Sequence, residues 1–108
     1  MKIFKLLIIS FLSIFTVQVF AADNLKIDDF SKIKWQLRAS DGKLFLRNLD
    51  DFDNSFLGCC DKFYIDTTTE PGKALWSAFL SKYTSKQGGY ISVANKKAEG
   101  HIVNIGNW

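Results

Sequence analysis

The sequence contains little cysteine, proline, histidine or methionine. Of its 108 residues, two are Cys and one each is Pro, His and Met. This low proline content, together with 47% hydrophobic residues, excludes a disordered or collagen-like chain. The length suits one domain rather than two. The sequence has no internal repeat and no low-complexity tract, and only its N-terminal stretch forms a long apolar run.

Motifs of common catalytic and metal chemistry are also missing. There is no GxSxG, the nucleophile motif of α/β-hydrolases. Cys59 and Cys60 are adjacent rather than spaced as CxxC, and with the single histidine, His101, they do not supply a zinc spacing. A lone histidine at the start of a strand is more typical of a polar surface than of a base or a ligand. We therefore predict no metal, no cofactor and no enzymatic activity.

A cluster of aspartates in the segment DDFDNSFLG is a candidate for a calcium site or for catalytic carboxylates. If Asp51 began a calcium loop, its sixth position would be Phe56 rather than Gly and its twelfth would be Lys62 rather than Glu. The pattern excludes an EF-hand and indicates a solvated loop. Nothing in the spacing favours a pair of glycosidase carboxylates.

The two cysteines leave three states open. Because Cys59 and Cys60 are neighbours, they cannot link two distant parts of one chain to each other. They can form a vicinal disulfide, bridge two subunits, or remain as free thiols packed in the protein.

Residues 1–21 have the pattern of a secretory signal peptide. Lys2 and Lys5 form a basic start, the apolar run Leu6–Phe20 follows, and small residues mark a cleavage site before Ala22. The run is shorter than the roughly 20 residues of a membrane span, and the alternative is an uncleaved N-terminal anchor. We predict an exported protein, periplasmic or secreted, with no membrane span after cleavage.

Cleavage would leave 87 residues, with 12 basic and 11 acidic side chains and a net charge of +1. These charges are interleaved along the chain, whereas a nucleic-acid-binding domain shows a basic patch. We therefore predict no nucleic-acid partner. A domain of this size buries only about 60–65% of its unfolded surface, so a disulfide or an oligomer would help to stabilise it.

The predicted elements are five strands and one helix. Residues 22–32 are polar and are expected to form an N-terminal arm or a short edge segment. The Asp41-Gly42 pair between the first two strands is typical of a tight hairpin. The predicted strands are 33–39, 44–49, 62–66, 90–94 and 101–108, and the helix is 70–86.

The order β-β-β-α-β-β predicts an all-β protein with one helix. Five short strands with a helix between the third and fourth are typical of an OB-fold, so we predict an OB-fold-like barrel over residues 33–108. The alternative is an open antiparallel sheet with one packed helix. The apolar helix positions expected to be buried are Leu75, Ala78, Phe79 and Tyr83.

The apolar residues of the last and the second predicted strands indicate which of their faces are buried. Val103 and Ile105 are predicted to share a face of the last strand. In the second strand, Leu44, Phe45 and Leu46 are all apolar. Either both faces of that strand are covered, or Phe45 lies in an exposed contact.

Aromatic residues make up 15% of the chain and provide the best indication of a ligand. Sugar rings present apolar C–H faces on which aromatic rings stack, and OB-folds bind oligosaccharides on the barrel face and its loops. Tyr64 and Tyr90 alternate with the aliphatic residues of their strands, so they are expected to point outward and are the first candidates for ligand binding. Trp35 and Trp108 are further candidates, although Trp35 is equally suited to the core.

Several segments together resemble a known family. They are Cys59/Cys60 before a strand, Phe63-Tyr64-Ile65, Ala74–Leu80, Gly88-Gly89 and Tyr90–Val93. With the signal peptide, this layout resembles the binding subunits of bacterial toxins built from one active and five binding chains, the subtilase cytotoxin type in particular. It is equally similar to small exported orphan proteins with the same layout.

The resemblance implies an OB-fold subunit that assembles into a pentameric ring, with helices lining the centre, and that binds cell-surface glycans. Members of that family usually carry a second, distant cysteine that closes an intrachain bridge. Here the region around Ala98, where it is expected, has none.

Two functions follow from these patterns. The first is an exported, non-enzymatic binding module for a glycan or a protein surface that forms a homo-oligomer. Outward apolar residues such as Phe45 and Trp76 would support a ring, which needs complementary surfaces between subunits. The alternative is a monomeric periplasmic inhibitor or envelope-stress protein that binds a protein partner through an exposed strand edge or loop.

Overall fold

The computed structural model describes residues 22–108, so the predicted signal peptide lies outside the described residues. Within that range the chain forms six strands, one α-helix and two short 3₁₀ turns, at Phe30–Lys32 and Leu49–Asp51. The strands are β1 (Asp23–Ile27), β2 (Trp35–Arg38), β3 (Lys43–Leu46), β4 (Phe63–Asp66), β5 (Gly89–Val93) and β6 (Gly100–Gly106), and the helix is α1 (Glu70–Thr84). None of the helices in this range has the length and apolar character needed to cross a bilayer.

The six strands form one mixed sheet in the order β1-β5-β6-β4-β3-β2. All neighbours are antiparallel except β4 and β6, which pair in parallel over two residues. The prediction of a mostly β protein with one helix is confirmed. The sheet has six strands rather than five, and it is open, with β1 and β2 as its edges.

The additional strand, β1, comes from the segment predicted as an arm or an edge segment. It pairs with β5 along its whole length, and Leu25 and Ile27 point into the core. Only these two apolar residues alternate, so the pattern was too short to indicate a strand without its partner.

The predicted Asp41-Gly42 turn joins β2 to β3. Gly42 has a φ of +70°, which glycine adopts without steric cost. The Asp41 carboxylate accepts hydrogen bonds from Arg38, with Nε to Oδ1 at 3.0 Å. The Arg38 hydrogen bond lowers the pKa of Asp41 from 3.8 to about 2. The contribution of this exposed pair to stability is therefore present above pH 3.8 and is lost as the pH falls through about 2.

The helix α1 begins as the sequence predicts and ends earlier. Thr69 caps its N-terminus by accepting a hydrogen bond from the backbone N–H of Gly72 at 3.0 Å, and Pro71 lies in the first turn. The predicted end at Lys86 is two residues too far, because Lys86 has a φ of 54°, outside the helical region. The strand β5 begins three residues later, at Gly89.

The core lies between one face of the sheet and α1. Its centre is Phe79, which packs on the Phe30 ring with the centroids 6.2 Å apart.

Both faces of β3 are covered, which excludes the exposed contact considered for Phe45. Phe45 lies on the face opposite the core and is still only 6% exposed, because the Arg38 guanidinium lies 4.8 Å from its ring centroid.

The prediction that Val103 and Ile105 share a face is wrong. The register between β5 and β6 shifts, so that Val93 pairs with Ile102 while Ser92 pairs with Asn104. This bulge inserts Val103 as an extra residue. Ile102 and Ile105 therefore lie on the core side of β6.

Candidate functional site

The four aromatic residues predicted to bind a ligand lie in three separate places. Tyr90 and Trp108 meet edge to face, with ring centroids 6.2 Å apart. Tyr64 lies beside His101 on another part of the sheet, and Trp35 packs on α1. Only the first pair forms a shared surface.

That pair walls a cleft of about 590 Å³, here called the amide cleft. The residues lining it are Ala22, Asn24, Tyr90, Ser92, Asn104, Asn107 and Trp108. No Asp, Glu, Lys, Arg or His lines the cleft, and three of the lining side chains are amides.

The sheet register assembles the amide cleft. Asn24 pairs with Ser92, and Ser92 pairs with Asn104, so the three polar side chains form a row across β1, β5 and β6. Tyr90 lies in the next outward row, opposite Gly106. A Cβ atom at Gly106 would lie 2.6 Å from Cε1 of Tyr90, so this glycine leaves the space that the ring occupies.

Two of the three amides use their oxygens within the protein. Oδ1 of Asn24 accepts a hydrogen bond from the Ser92 hydroxyl, and Oδ1 of Asn107 accepts one from Lys82 Nζ at 2.5 Å. Within residues 22–108, the Nδ2 groups of Asn24 and Asn107 donate to no protein acceptor. Both are therefore available to donate to an oxygen of a ligand.

Trp108 separates the amide cleft from an acidic depression. Its side chain is 69% exposed, and Lys26 Nζ lies 5.4 Å from the ring centroid. The depression on the other side is lined by Lys26, Asp50, Asp51 and Asp53, among others. In the part of the chain that the structure describes, no group of three or more His, Cys, Asp and Glu side chains is arranged to hold a metal ion.

A second groove, of about 440 Å³, lies where α1 meets β4 and β6, and includes Tyr64, Asp66 and His101. The Tyr64 ring and the Asp66 carboxylate are already engaged within the protein. Lys43 Nζ lies 4.5 Å from the centroid of the Tyr64 ring and covers that face. The Asp66 carboxylate accepts hydrogen bonds from the Thr68 hydroxyl and backbone N–H, which lower its pKa.

Trp35 belongs to a third surface, formed by β2 and α1. Its ring packs on Trp76 at 5.9 Å and on Tyr83 at 6.3 Å between centroids. Trp35 is nevertheless 39% exposed, and Leu37 on the same strand is 46% exposed. All four residues of β2 are exposed, and the strand has no neighbour on its outer side within residues 22–108.

Of the three states considered for the cysteines, the structure has the vicinal disulfide between Cys59 and Cys60. The pair borders a small cleft that also contains Lys34 and Arg47. Arg47 is already paired with Asp61, with Nε to Oδ1 at 3.2 Å. The disulfide lies apart from the amide cleft, with which it shares no lining residue.

Sequence reasoning missed the polar half of the amide cleft. Asn24, Ser92, Asn104 and Asn107 are scattered through the chain, and only the strand register brings them together. Comparison with protein-family models, with curated proteins and with solved structures finds no match for this chain. A function must therefore be inferred from the geometry of the site.

Proposed function

We propose that this protein is a non-enzymatic glycan-binding module that holds a neutral sugar in the amide cleft. The observation that carries the proposal is the meeting of Tyr90 and Trp108 beside three amides and a hydroxyl, with no acidic or basic side chain in the lining. Aromatic rings offer a surface for the C–H faces of a sugar, and amides and hydroxyls donate to and accept from its hydroxyl groups.

Within this proposal, residues 33–108 are an OB-fold-like unit to which β1 adds a sixth strand. Three features support it: the antiparallel succession β2-β3-β4, the return of β6 to the side of β4, and the position of α1 between β4 and β5. The OB-fold is a partly open Greek-key barrel that binds oligosaccharides.

We further propose that the protein is exported and acts in the periplasm or outside the cell. The basic start, apolar run and small-residue cleavage site of residues 1–21 support this location. Cleavage before Ala22 would leave a chain beginning at the rim of the amide cleft, of which Ala22 is a lining residue.

A glycan array with the purified protein tests the ligand class. Because no acidic or basic side chain lines the cleft, we expect the protein acetylated at the α-amino group of Ala22 to retain neutral oligosaccharides, with no gain from sialylated or sulfated versions of the same glycans. Retention of the charged glycans alone, or of none, would contradict the proposal.

A second candidate function is the binding of a protein through the β2 edge. An unpaired strand edge is a template for another strand, and the exposed side chains of Trp35 and Leu37 extend the core-side face of the sheet beyond it. Trp76 is half-buried against Trp35, whereas Phe45 is covered and is not available. The occupant is either another copy, as in a pentameric ring, or a protein partner of a monomeric inhibitor.

Native mass spectrometry distinguishes these occupants. A pentamer would support the ring, and a monomer would support a partner protein. If the ring forms, we expect Leu37→Lys to convert it to monomers without unfolding, because Leu37 is already 46% exposed. The matched control is Gln36→Lys, on the opposite face of the same exposed strand. Rings that persist in Leu37→Lys would exclude β2 as the contact.

A further inference from the structure

Lys82 is buried in α1, where it is only 7% exposed. Lysine is almost never buried so fully unless it is paired, and within residues 22–108 its ammonium contacts no carboxylate. It donates instead to two neutral oxygens, the backbone carbonyl of Gly88 at 3.2 Å and Oδ1 of Asn107 at 2.5 Å. It also lies 5.7 Å from the centroid of the Phe30 ring, a favourable position for a cation.

The backbone around Lys82 is shaped to let its ammonium reach Asn107. A Cβ atom at Gly89 would lie 3.1 Å from Lys82 Nζ and 2.3 Å from the carbonyl oxygen of Gly106. Gly89 therefore leaves room for the Lys82 side chain, which crosses from α1 to the segment after β6.

The hydrogen bond from Lys82 fixes the orientation of the Asn107 amide. An ammonium group only donates hydrogen bonds, so Asn107 must turn Oδ1 towards Lys82. Its Nδ2 group is then left to donate elsewhere, and Asn107 is one of the residues lining the cleft. A sugar hydroxyl both donates and accepts hydrogen bonds, so it can bind either end of the Asn107 amide. The carbonyl oxygen of an acetamido group only accepts, so it binds only the Nδ2 end.

We propose that Lys82 is a positioning residue that holds Asn107 as an N–H donor, so that the amide cleft prefers sugars carrying an acetamido group. This inference rests on the proposed glycan-binding function. The neighbouring Trp108 indole, exposed at the wall of the cleft, supplies apolar surface for the acetyl methyl group.

The orientation of Asn107 is tested without any ligand. We expect Lys82→Met, which keeps most of the aliphatic stem and removes the ammonium, to shift the ¹⁵N–¹H resonances of the Asn107 side-chain amide. The side-chain amide of Asn95, in an exposed turn, serves as the reference. Unchanged Asn107 resonances in a folded Lys82→Met protein would overturn the inference.

The preference is tested by titrating a disaccharide of N-acetylglucosamine and the matching disaccharide of glucose. We expect the first to bind more tightly, and Asn107→Asp to reduce that preference by about tenfold, because one donated hydrogen bond is lost. Asn107→Asp keeps an oxygen for Lys82, so it should remain folded even if Lys82→Met does not. Asn95→Asp makes the same chemical change outside the cleft and should leave the preference intact.

The two proposals fail in different ways. Equal preference in the unaltered protein and Asn107→Asp would overturn the role of Asn107 while leaving glycan binding established. Binding of neither disaccharide nor any other neutral glycan would overturn the proposed function together with the acetamido preference. The Asn107 resonances would still decide whether Lys82 orients the amide.

Discussion

Replacing Phe79 with alanine is expected to lower the free energy of unfolding by about 3–5 kcal/mol, the usual cost of truncating a buried aromatic residue. The Phe79 side chain is fully buried and belongs to the core between α1 and the sheet. Its ring packs on those of Phe30, Trp76 and Tyr83, with centroid distances of 5.7–6.2 Å. The cavity left by its removal would open on all of these neighbours.

Urea unfolding followed by circular dichroism measures this loss. Ser77→Ala is the control, because Ser77 is exposed on the same helix and its replacement should change the unfolding free energy by no more than about 0.5 kcal/mol. A loss below about 1 kcal/mol for Phe79→Ala would show that this ring is not central to the core.

Replacing Trp108 with alanine is expected to weaken glycan binding by about tenfold or more, as truncation of a central aromatic contact does in other interfaces. Trp108 is the exposed wall of the amide cleft and contributes little to the core, since it is 69% exposed. Its replacement should therefore leave the unfolding free energy within about 0.5 kcal/mol of the unaltered value.

Trp35→Ala is the matched control for Trp108→Ala. It removes a second exposed tryptophan, but one that packs on Trp76 away from the amide cleft. We expect it to bind glycan normally and to be modestly less stable. Isothermal titration calorimetry with the tightest neutral glycan compares the three proteins. Equal affinity of Trp108→Ala and the unaltered protein would place the ligand elsewhere.

The sequence predicted the elements that have a clear local pattern. The helix stripe around Phe79 and the Asp41-Gly42 turn correspond to structure near the expected positions. The alternation from Ile33 to Ala39 predicts a half-buried strand; the strand β2 is present, but all four of its residues are exposed. These signals are local, because each depends on residues that are near one another in the chain.

Features that depend on pairing between distant strands were not predictable. The strand β1 forms because residues Asp23–Ile27 pair with β5. Its own sequence has only two alternating apolar residues, which are too few to predict a strand. The bulge that leaves Val103 without a partner residue arises from the register of β6 against Ser92 and Val93. Neither feature has a signature in its own segment.

The candidate site shows the same division. Tyr90 and Trp108 were recognised individually as ligand candidates, and the register of β5 explains the outward position of Tyr90. The amides lining the cleft were not recognised, because asparagine in a sequence is equally typical of turns. A lysine in the last turn of a helix is typical of a cation that faces solvent at the negative end of the helix dipole. Only the fold shows that Lys82 is buried and donates to Asn107.

The central claim is that the amide cleft binds a neutral sugar. It is tested most directly by titrating a neutral oligosaccharide into ¹⁵N-labelled protein and following the ¹⁵N–¹H resonances. We predict saturable shifts confined to the backbone and side-chain amides of Asn24, Asn104 and Asn107, the backbone amides of Tyr90 and Ser92, and the indole N–H of Trp108. The absence of saturable shifts, or shifts centred on Tyr64 and His101 instead, would contradict the claim.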